Sequence, residues 1–213
     1  MLTVALAKGR TAEDLVPLWR ESLLPCPEDV LSSRALVFEV DWPPGERIRF
    51  LLAKPMDVPT YVFYGVADLG VVGKDILLEQ ERAVYELLNL EVARCRLCVA
   101  GRPELAAETP QRVATKYPRL AESYFRRQGQ VVDLVELGGS IELAAVIGLT
   151  DRIFDLVQTG ATLAANGLTV FDEVEQISAR LIVNRSSYRL KSTEIATVVE
   201  GLTAAVRRRR VHA

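Results

Sequence analysis

The sequence offers little to a histidine-based mechanism. Its single histidine, His212, stands next to the C-terminus, where an exposed tail residue is expected. Cysteine is scarce as well. Three thiols, Cys26, Cys95 and Cys98, are too few and too odd in number for a disulfide framework. Cys95-x-x-Cys98 has the spacing of a zinc or redox pair, but Arg94-Cys-Arg-Leu-Cys-Val-Ala100 reads as strand. Residues three apart on a strand point to opposite faces, and no second Cys or His pair completes a zinc site. Two packed thiols are expected instead. No apolar run reaches the length of a membrane span. The N-terminal stretch lacks the basic region and long apolar run of a signal peptide, so a cytoplasmic protein without membrane contact is expected. A net charge of −2 gives no electrostatic footprint for nucleic acid.

What is present is ordinary in amount and ordered in pattern. With 213 residues, 49% apolar and 25% charged, the chain has room for one large domain or two small ones. Apolar runs that read as strands are Leu2–Ala7, 35–40, 47–53, 90–100, 112–115, 131–136, 153–157, 169–174 and 179–184. Between them lie helix-compatible stretches. Thr11 and Asp14 suggest a capping box ahead of Leu15, Leu18, Trp19 and Leu23, which recur at helical spacing as core. Asp57 and Pro59 suit a short helix ended by Gly65. A helix is expected from Pro118 to Arg127, another from Ser140 to Ile147, and a last one from Thr193 to Arg210. That last helix buries Ile195, Val198, Val199, Leu202 and Val206, and Arg207–Arg210 form a solvated, frayed end. This alternation indicates α/β architecture with mainly parallel sheets. Val66–Asp75 faintly resembles a P-loop, but Asp68 and Asp75 stand where that pattern needs Gly and Ser or Thr, so a Walker motif is rejected.

The most informative stretch runs from Glu136 to Leu168. Asp155 lies inside a short strand, and Thr159-Gly160-Ala161-Thr162-Leu163 follows at once. Hydroxyl and glycine residues between a strand and a helix form an anion cradle of outward N–H groups. The same spacing also fits an ordinary strand-to-helix turn with Thr as N-cap. Lys8-Gly9-Arg10 is a second basic turn after the first strand, where a fixed Arg and a mobile Lys can meet phosphate oxygens.

Several blocks, in order along nearly the whole chain, resemble one family, the ATP phosphoribosyltransferases that begin histidine biosynthesis. They are Leu6-Ala-Lys-Gly-Arg10, Asp57-Val-Pro-Thr-Tyr-Val62, Gly65 through Asp75, Arg112-Val-Ala-Thr-Lys-Tyr-Pro118, Gly139-Ser-Ile-Glu-Leu-Ala144, Asp155 through Leu163 and, more weakly, Ala179-Arg-Leu-Ile-Val-Asn184. The resemblance implies that adenine N1 of ATP attacks C1 of phosphoribosyl pyrophosphate (PRPP), with Mg²⁺. It implies a two-domain fold like the type II periplasmic binding proteins, with the active site in the interdomain cleft. Residues 1–91 and 177–213 would form domain I, on the nucleotide side, and 92–176 domain II, holding the PRPP 5-phosphate. Only one helix is expected after Asn184, so the chain resembles the short form of the family. That form works with a regulatory subunit related to histidyl-tRNA synthetase, in a hetero-octamer built on homodimers.

The chemistry asks for little that is missing. The nucleophile is a neutral ring nitrogen with its own lone pair, and the transition state is oxocarbenium-like. Alignment and electrostatic stabilisation therefore carry the rate. By the resemblance, Thr159, Gly160, Ala161, Thr162 and Leu163 hold the 5-phosphate. Asp155 accepts from the ribose hydroxyls, and Glu142 is a second ribose or Mg²⁺ carboxylate, each otherwise a cap or ion-pair acid. Lys8, Gly9, Arg10 and Arg34 face the triphosphate or pyrophosphate. Asp68, Leu69, Gly70 and Gly73 line the nucleotide side, with Asp68 near the purine or its sugar. Thr115, Lys116 and Tyr117 are nucleotide contacts or packing. Lys54 is the transition-state cation, although the family commonly has Arg there and Lys lacks its bidentate fork. No residue set is singled out as metal ligands. The rival readings are a two-lobed small-molecule binding module and a PRPP transferase acting on another base.

Overall fold

The structure, a computed structural model, describes residues 1–212 except for the side chain of His212. The expected exposure of that side chain therefore falls outside the described residues. The chain divides into two units, residues 1–93 together with the chain from Ser178 onward, and residues 94–177.

In the first unit a six-stranded sheet runs β2 (Val37–Trp42), β3 (Glu46–Ala53), β1 (Leu2–Ala7), β4 (Leu69–Gly73), β11 (Ala179–Val183), β5 (Tyr85–Asn89). β1 is buried at every position, as a central strand covered on both faces must be. Leu2, Val4 and Leu6 meet α1 (Arg10–Glu21) and α8 (Ser192–His212), while Ala5 and Ala7 share the opposite face with Val58 and Val62 of α2 (Val58–Phe63) and Ile76 of α3 (Lys74–Gln80). Trp19 anchors the first face. Its ring meets Phe50 edge-on at 5.4 Å and its Nε1 donates to the Pro25 carbonyl at 3.0 Å. The expected apolar stripe of α8 is buried at Ile195, Val198, Leu202 and Val206.

The second unit is a five-stranded sheet, β10 (Thr169–Ile177), β6 (Cys95–Gly101), β9 (Arg152–Val157), β7 (Arg112–Thr115), β8 (Asp133–Glu136). α4 (Pro118–Arg127) packs on one face, while α5 (Ile141–Val146) and α6 (Ala161–Ala165) pack on the other. Cys95 and Cys98 lie in the two separate cores on those opposite faces, as the strand alternation requires. Burial pushes the Cys98 thiol up to about 11, so it is a packed thiol and not a nucleophile.

Several sequence expectations are corrected. The sheets are mixed. β1 pairs parallel with β3 and β4, and β7 with β8 and β9, but β2–β3, β4–β11, β11–β5, β6–β9 and β6–β10 are antiparallel. Periodicity reports burial, not direction. No capping box forms at Thr11, because Gly9 is the N-cap and makes no side-chain cap bond, and Asp14 instead accepts from the Ala93 amide at 3.1 Å. Leu23 lies past the end of α1 at a left-handed φ of 62° and is 91% exposed. Residues 90–94 are a connection, not strand, with Glu91 and Ala93 at positive φ. Lys74–Gln80 is a helix with no counterpart among the sequence expectations, and two helices, not one, follow Asn184, α7 (Arg185–Leu190) and α8. The arginine run at the end of α8 is not a free solvated end either. Arg209 forks onto Glu21 with two 2.7 Å bonds, Arg208 reaches the Glu21 carbonyl, and Arg210 binds Glu91. The basic end of α8 thus closes on the acidic end of α1.

Asp151 fixes how β9 meets β7. Its Oδ2 accepts from the backbone amides of Gln111 and Arg112, both at 2.9 Å. The Arg112 amide is the main cause holding its carboxyl below the usual range. A carboxylate depressed in the folded state contributes stability above its unfolded pKa and loses it as pH falls through the folded value. Thermal midpoints taken from pH 6 down to 3 should therefore fall more steeply below about pH 4 in the native chain than in Asp151→Asn. Parallel curves would show that those bonds add nothing.

Candidate functional site

The parallel strands of each unit end at one edge, and the loops beyond carboxyl ends of parallel strands are where α/β sheets present ligand-binding groups.

In the second unit β7, β8 and β9 finish at Thr115, Glu136 and Val157. Lys116, residues 137–140 and residues 158–160 follow them and lead into α4, α5 and α6. The chain enters and leaves the unit at this same edge, since Cys95 and Ile177 are register partners there. Asp155 is half-buried near the end of β9. By strand alternation it shares a face with Ile153 and Val157, the face on which α5 and α6 pack. Glu142 is half-buried in the first turn of α5. The structure thus collects Asp155, Glu142, Lys116 and the loop Thr159–Leu163 on one edge, the first two on one face.

The geometry of that loop follows from its residues. Gly160 sits at φ 80°, ψ 1° as the N-cap of α6, a left-handed position that glycine adopts without steric cost. Thr159 is therefore not the N-cap expected in the plainer reading. Its Oγ1 accepts from the Ala161 amide at 3.3 Å, a local turn that holds the loop open. Thr159, Ala161 and Thr162 are exposed and Leu163 is buried, so Leu163 offers only its amide. The first amides of a helix have no partner within it; after Ala161, whose amide Thr159 Oγ1 takes, those are the amides of Thr162 and Leu163.

In the first unit β1, β3 and β4 end at Ala7, Ala53 and Gly73. The Lys8 amide donates to the Ala53 carbonyl at 2.9 Å. That bond sets Lys8 and Lys54 beside each other as exposed cations on neighbouring strand ends. Gly9 adopts φ 79°, ψ −147°, a region essentially closed to other residues. Arg10 then opens α1. A cavity of about 170 Å³ is lined by Lys8, Gly9, Ala12, Glu13, Ser33 and Arg34, among others. Arg34, distant in sequence, is thereby brought to the Lys8–Gly9 turn.

Asp68, Leu69 and Gly70, expected on the nucleotide side, are placed away from that edge. They stand at the start of β4, the opposite edge from Gly73. Asp68 is buried. Its Oδ2 accepts from the Thr3 amide (2.8 Å) and Lys191 Nζ (2.7 Å), and its Oδ1 from Ser187 Oγ at 2.6 Å. Leu69 is a core residue, and Gly70 packs against Val58 and Val62 of α2. Of the four residues expected on the nucleotide side, Asp68, Leu69, Gly70 and Gly73, Gly73 alone reaches the carboxyl edge. Thr115 and Tyr117 are also buried and so are packing residues, not surface contacts. The sequence reading missed α7 and its partners, although a signal was present. Asn184 is its N-cap, accepting from the Ser186 and Ser187 amides, a pattern visible in Asn-Arg-Ser-Ser.

Among the described residues no group of three or more His, Cys, Asp or Glu side chains stands together as a metal site, and no helix is long and apolar enough to cross a membrane.

Comparison with known proteins points one way. The family model described as ATP phosphoribosyltransferase matches residues 54–204. The ATP phosphoribosyltransferase of Geobacillus kaustophilus (strain HTA426) is 52% identical over 207 residues, 97% of this chain and 99% of that protein. That of Bacillus subtilis (strain 168) is 49% identical over 212 residues, covering 96% and 98%. A solved structure titled ATP phosphoribosyl transferase (HisG:HisZ) complex, from Thermotoga maritima, is similar with a TM-score of 0.81 at 31% identity, over 98% of this chain and 100% of that one. The periplasmic aliphatic sulphonate binding protein SsuA from Escherichia coli has a TM-score of 0.61 at 15% identity, over 99% and 75%. That likeness shows a type II binding-protein fold and nothing about function.

Proposed function

The chain belongs to the ATP phosphoribosyltransferase family, and from that premise we propose how its two carboxyl edges divide the work. The reaction joins N1 of ATP to C1 of PRPP and releases pyrophosphate, opening histidine biosynthesis. The N1 lone pair forms the new bond, and the pyrophosphate oxygen leaves with the electrons of the old one. No proton need be removed to create the nucleophile.

The second unit holds the phosphoribosyl donor. The 5-phosphate lies on the amides and hydroxyls of Thr159–Leu163, where the N-terminus of α6 favours an anion. Asp155, preceding that loop by a few residues, accepts from the ribose hydroxyls and stabilises positive charge developing at C1. Glu142 is the second carboxylate on that face. The first unit holds the polyphosphate side through Lys8, Arg10, Arg34 and Lys54. The observation that carries this reading is the convergence of Asp155, Glu142 and the Gly160 loop at one sheet edge.

Mg²⁺ fits this donor set. It commonly keeps most of its water and is held by one or two carboxylates together with substrate phosphates. Asp155 and Glu142 are the carboxylates that would hold it, and it would neutralise charge on the departing pyrophosphate. The similar Thermotoga maritima structure is a HisG:HisZ complex, which supports a second subunit as the proposed partner here, and that subunit is proposed as the route by which histidine inhibits. The proposed place of the reaction is the cytoplasm.

The test is direct. The chain is incubated with ATP, PRPP and Mg²⁺, alone and with the regulatory subunit. Absorbance of the N1-substituted adenine should rise in step with pyrophosphate release, and histidine should slow it only when the subunit is present. Pyrophosphate release without the adenine signal, even with the subunit, would point to another acceptor base.

A further inference from the structure

Thr115 does not touch solvent, yet it is bonded to two of the three loops of the second unit's carboxyl edge and to β9, the strand that leads into the third. Its Oγ1 donates to the Phe154 carbonyl at 2.7 Å and accepts from the Tyr117 amide at 2.8 Å. Its own carbonyl accepts from the Leu137 amide at 3.0 Å. Phe154 is the last register partner of Thr115 between β9 and β7. The Phe154 carbonyl belongs to the peptide group that continues into Asp155. The hydroxyl therefore ties the backbone on which Asp155 is mounted. The Tyr117 amide fixes the turn that carries Lys116, and Leu137 begins the loop leading to Glu142. A valine fills nearly the same volume and suits the strand as well, so packing alone gives no reason for a hydroxyl here. A buried hydroxyl with its donor and acceptor capacity both used is a fixed joint.

We propose that Thr115 is a positioning residue for the transferase reaction: its hydroxyl locks the end of β9, and with it Asp155, to the Lys116 turn. This rests on the assignment of Asp155 to the ribose of PRPP. The effect is on alignment, where displacements of an ångström far from the reacting atoms cost about 10²-fold.

The experiment compares T115V, T115S and D155N, with the T115V/D155N double variant, in the full chain with ATP and PRPP. Assays run well below each variant's unfolding midpoint, and rates are expressed per folded molecule. T115V is expected to lower kcat by about 10²-fold with KM for ATP unchanged, and T115S to recover to within about threefold. The double variant should be no slower than D155N by more than about threefold, since both changes disable one device. A T115V of normal kcat beside an inactive D155N overturns the positioning proposal alone. So does a double variant whose loss is the product of the two single losses. A fully active D155N overturns the underlying assignment of Asp155 instead. If T115V does not fold, T115C, with a weak thiol donor in similar volume, is substituted; it should fall between T115S and D155N, and a rate equal to T115S overturns the proposal.

Discussion

Asp155→Asn is expected to lower turnover by about 10²–10³-fold at saturating ATP and PRPP, with the fold intact. The amide keeps the shape and much of the hydrogen bonding of the side chain but loses the charge. On the proposed assignment that charge faces C1, where positive character grows as the bond to pyrophosphate lengthens. A neutral partner stabilises the ground state nearly as well and the transition state much less, so the loss belongs in kcat and not in KM. The strand itself should tolerate the change, since Asp155 is only half-buried and the core around it is built by Ile153, Phe154 and Val157. Steady-state rates with an unchanged thermal midpoint would bear this out. A kcat within a few-fold of the native chain would remove Asp155 from the chemistry.

The second large effect concerns stability. Asp68→Ala should cost about 3 kcal/mol, the scale of removing one partner from a buried ion pair. The carboxylate receives the Thr3 amide, the Ser187 hydroxyl and Lys191 Nζ. It thereby joins β1 to the α7–α8 segment, from the amino-terminal edge of the sheet. Truncation leaves those donors facing a void. Lys191 is about one-third exposed, so its charge is rehydrated and the loss stays at the lower end of the range. Denaturant unfolding should show the drop, while KM for ATP in the folded fraction stays as it was. A raised KM with normal stability would return Asp68 to the nucleotide site, as its place in the family block first suggested.

Asp68 illustrates where the sequence misleads. It stands five residues before Gly73 inside one continuous block, and nothing local separates the two. A strand of five residues, β4, carries the chain from one edge of the sheet to the other, at about 3.3 Å per residue. The start of the block therefore belongs to the core and its end to the carboxyl edge. Arg34 shows the converse. Twenty-four residues lie between it and Gly9, yet both line one cavity.

Local chemistry decided the elements around the site. The turn at Gly9, the short strand with Asp155, the Gly160 bend and the amphipathic face of α8 were all legible, because each depends on neighbours a few residues away. Burial periodicity also separated Cys95 from Cys98. Sequence alone could not fix strand direction, since parallel and antiparallel neighbours bury the same alternation, and it did not resolve α3. It also placed Thr115 as a contact or packing residue without seeing that its hydroxyl bonds the backbone beside Asp155. Those outcomes depend on which strand ends lie at which edge, a property of contacts between residues 39 to 123 positions apart, which only the folded chain determines.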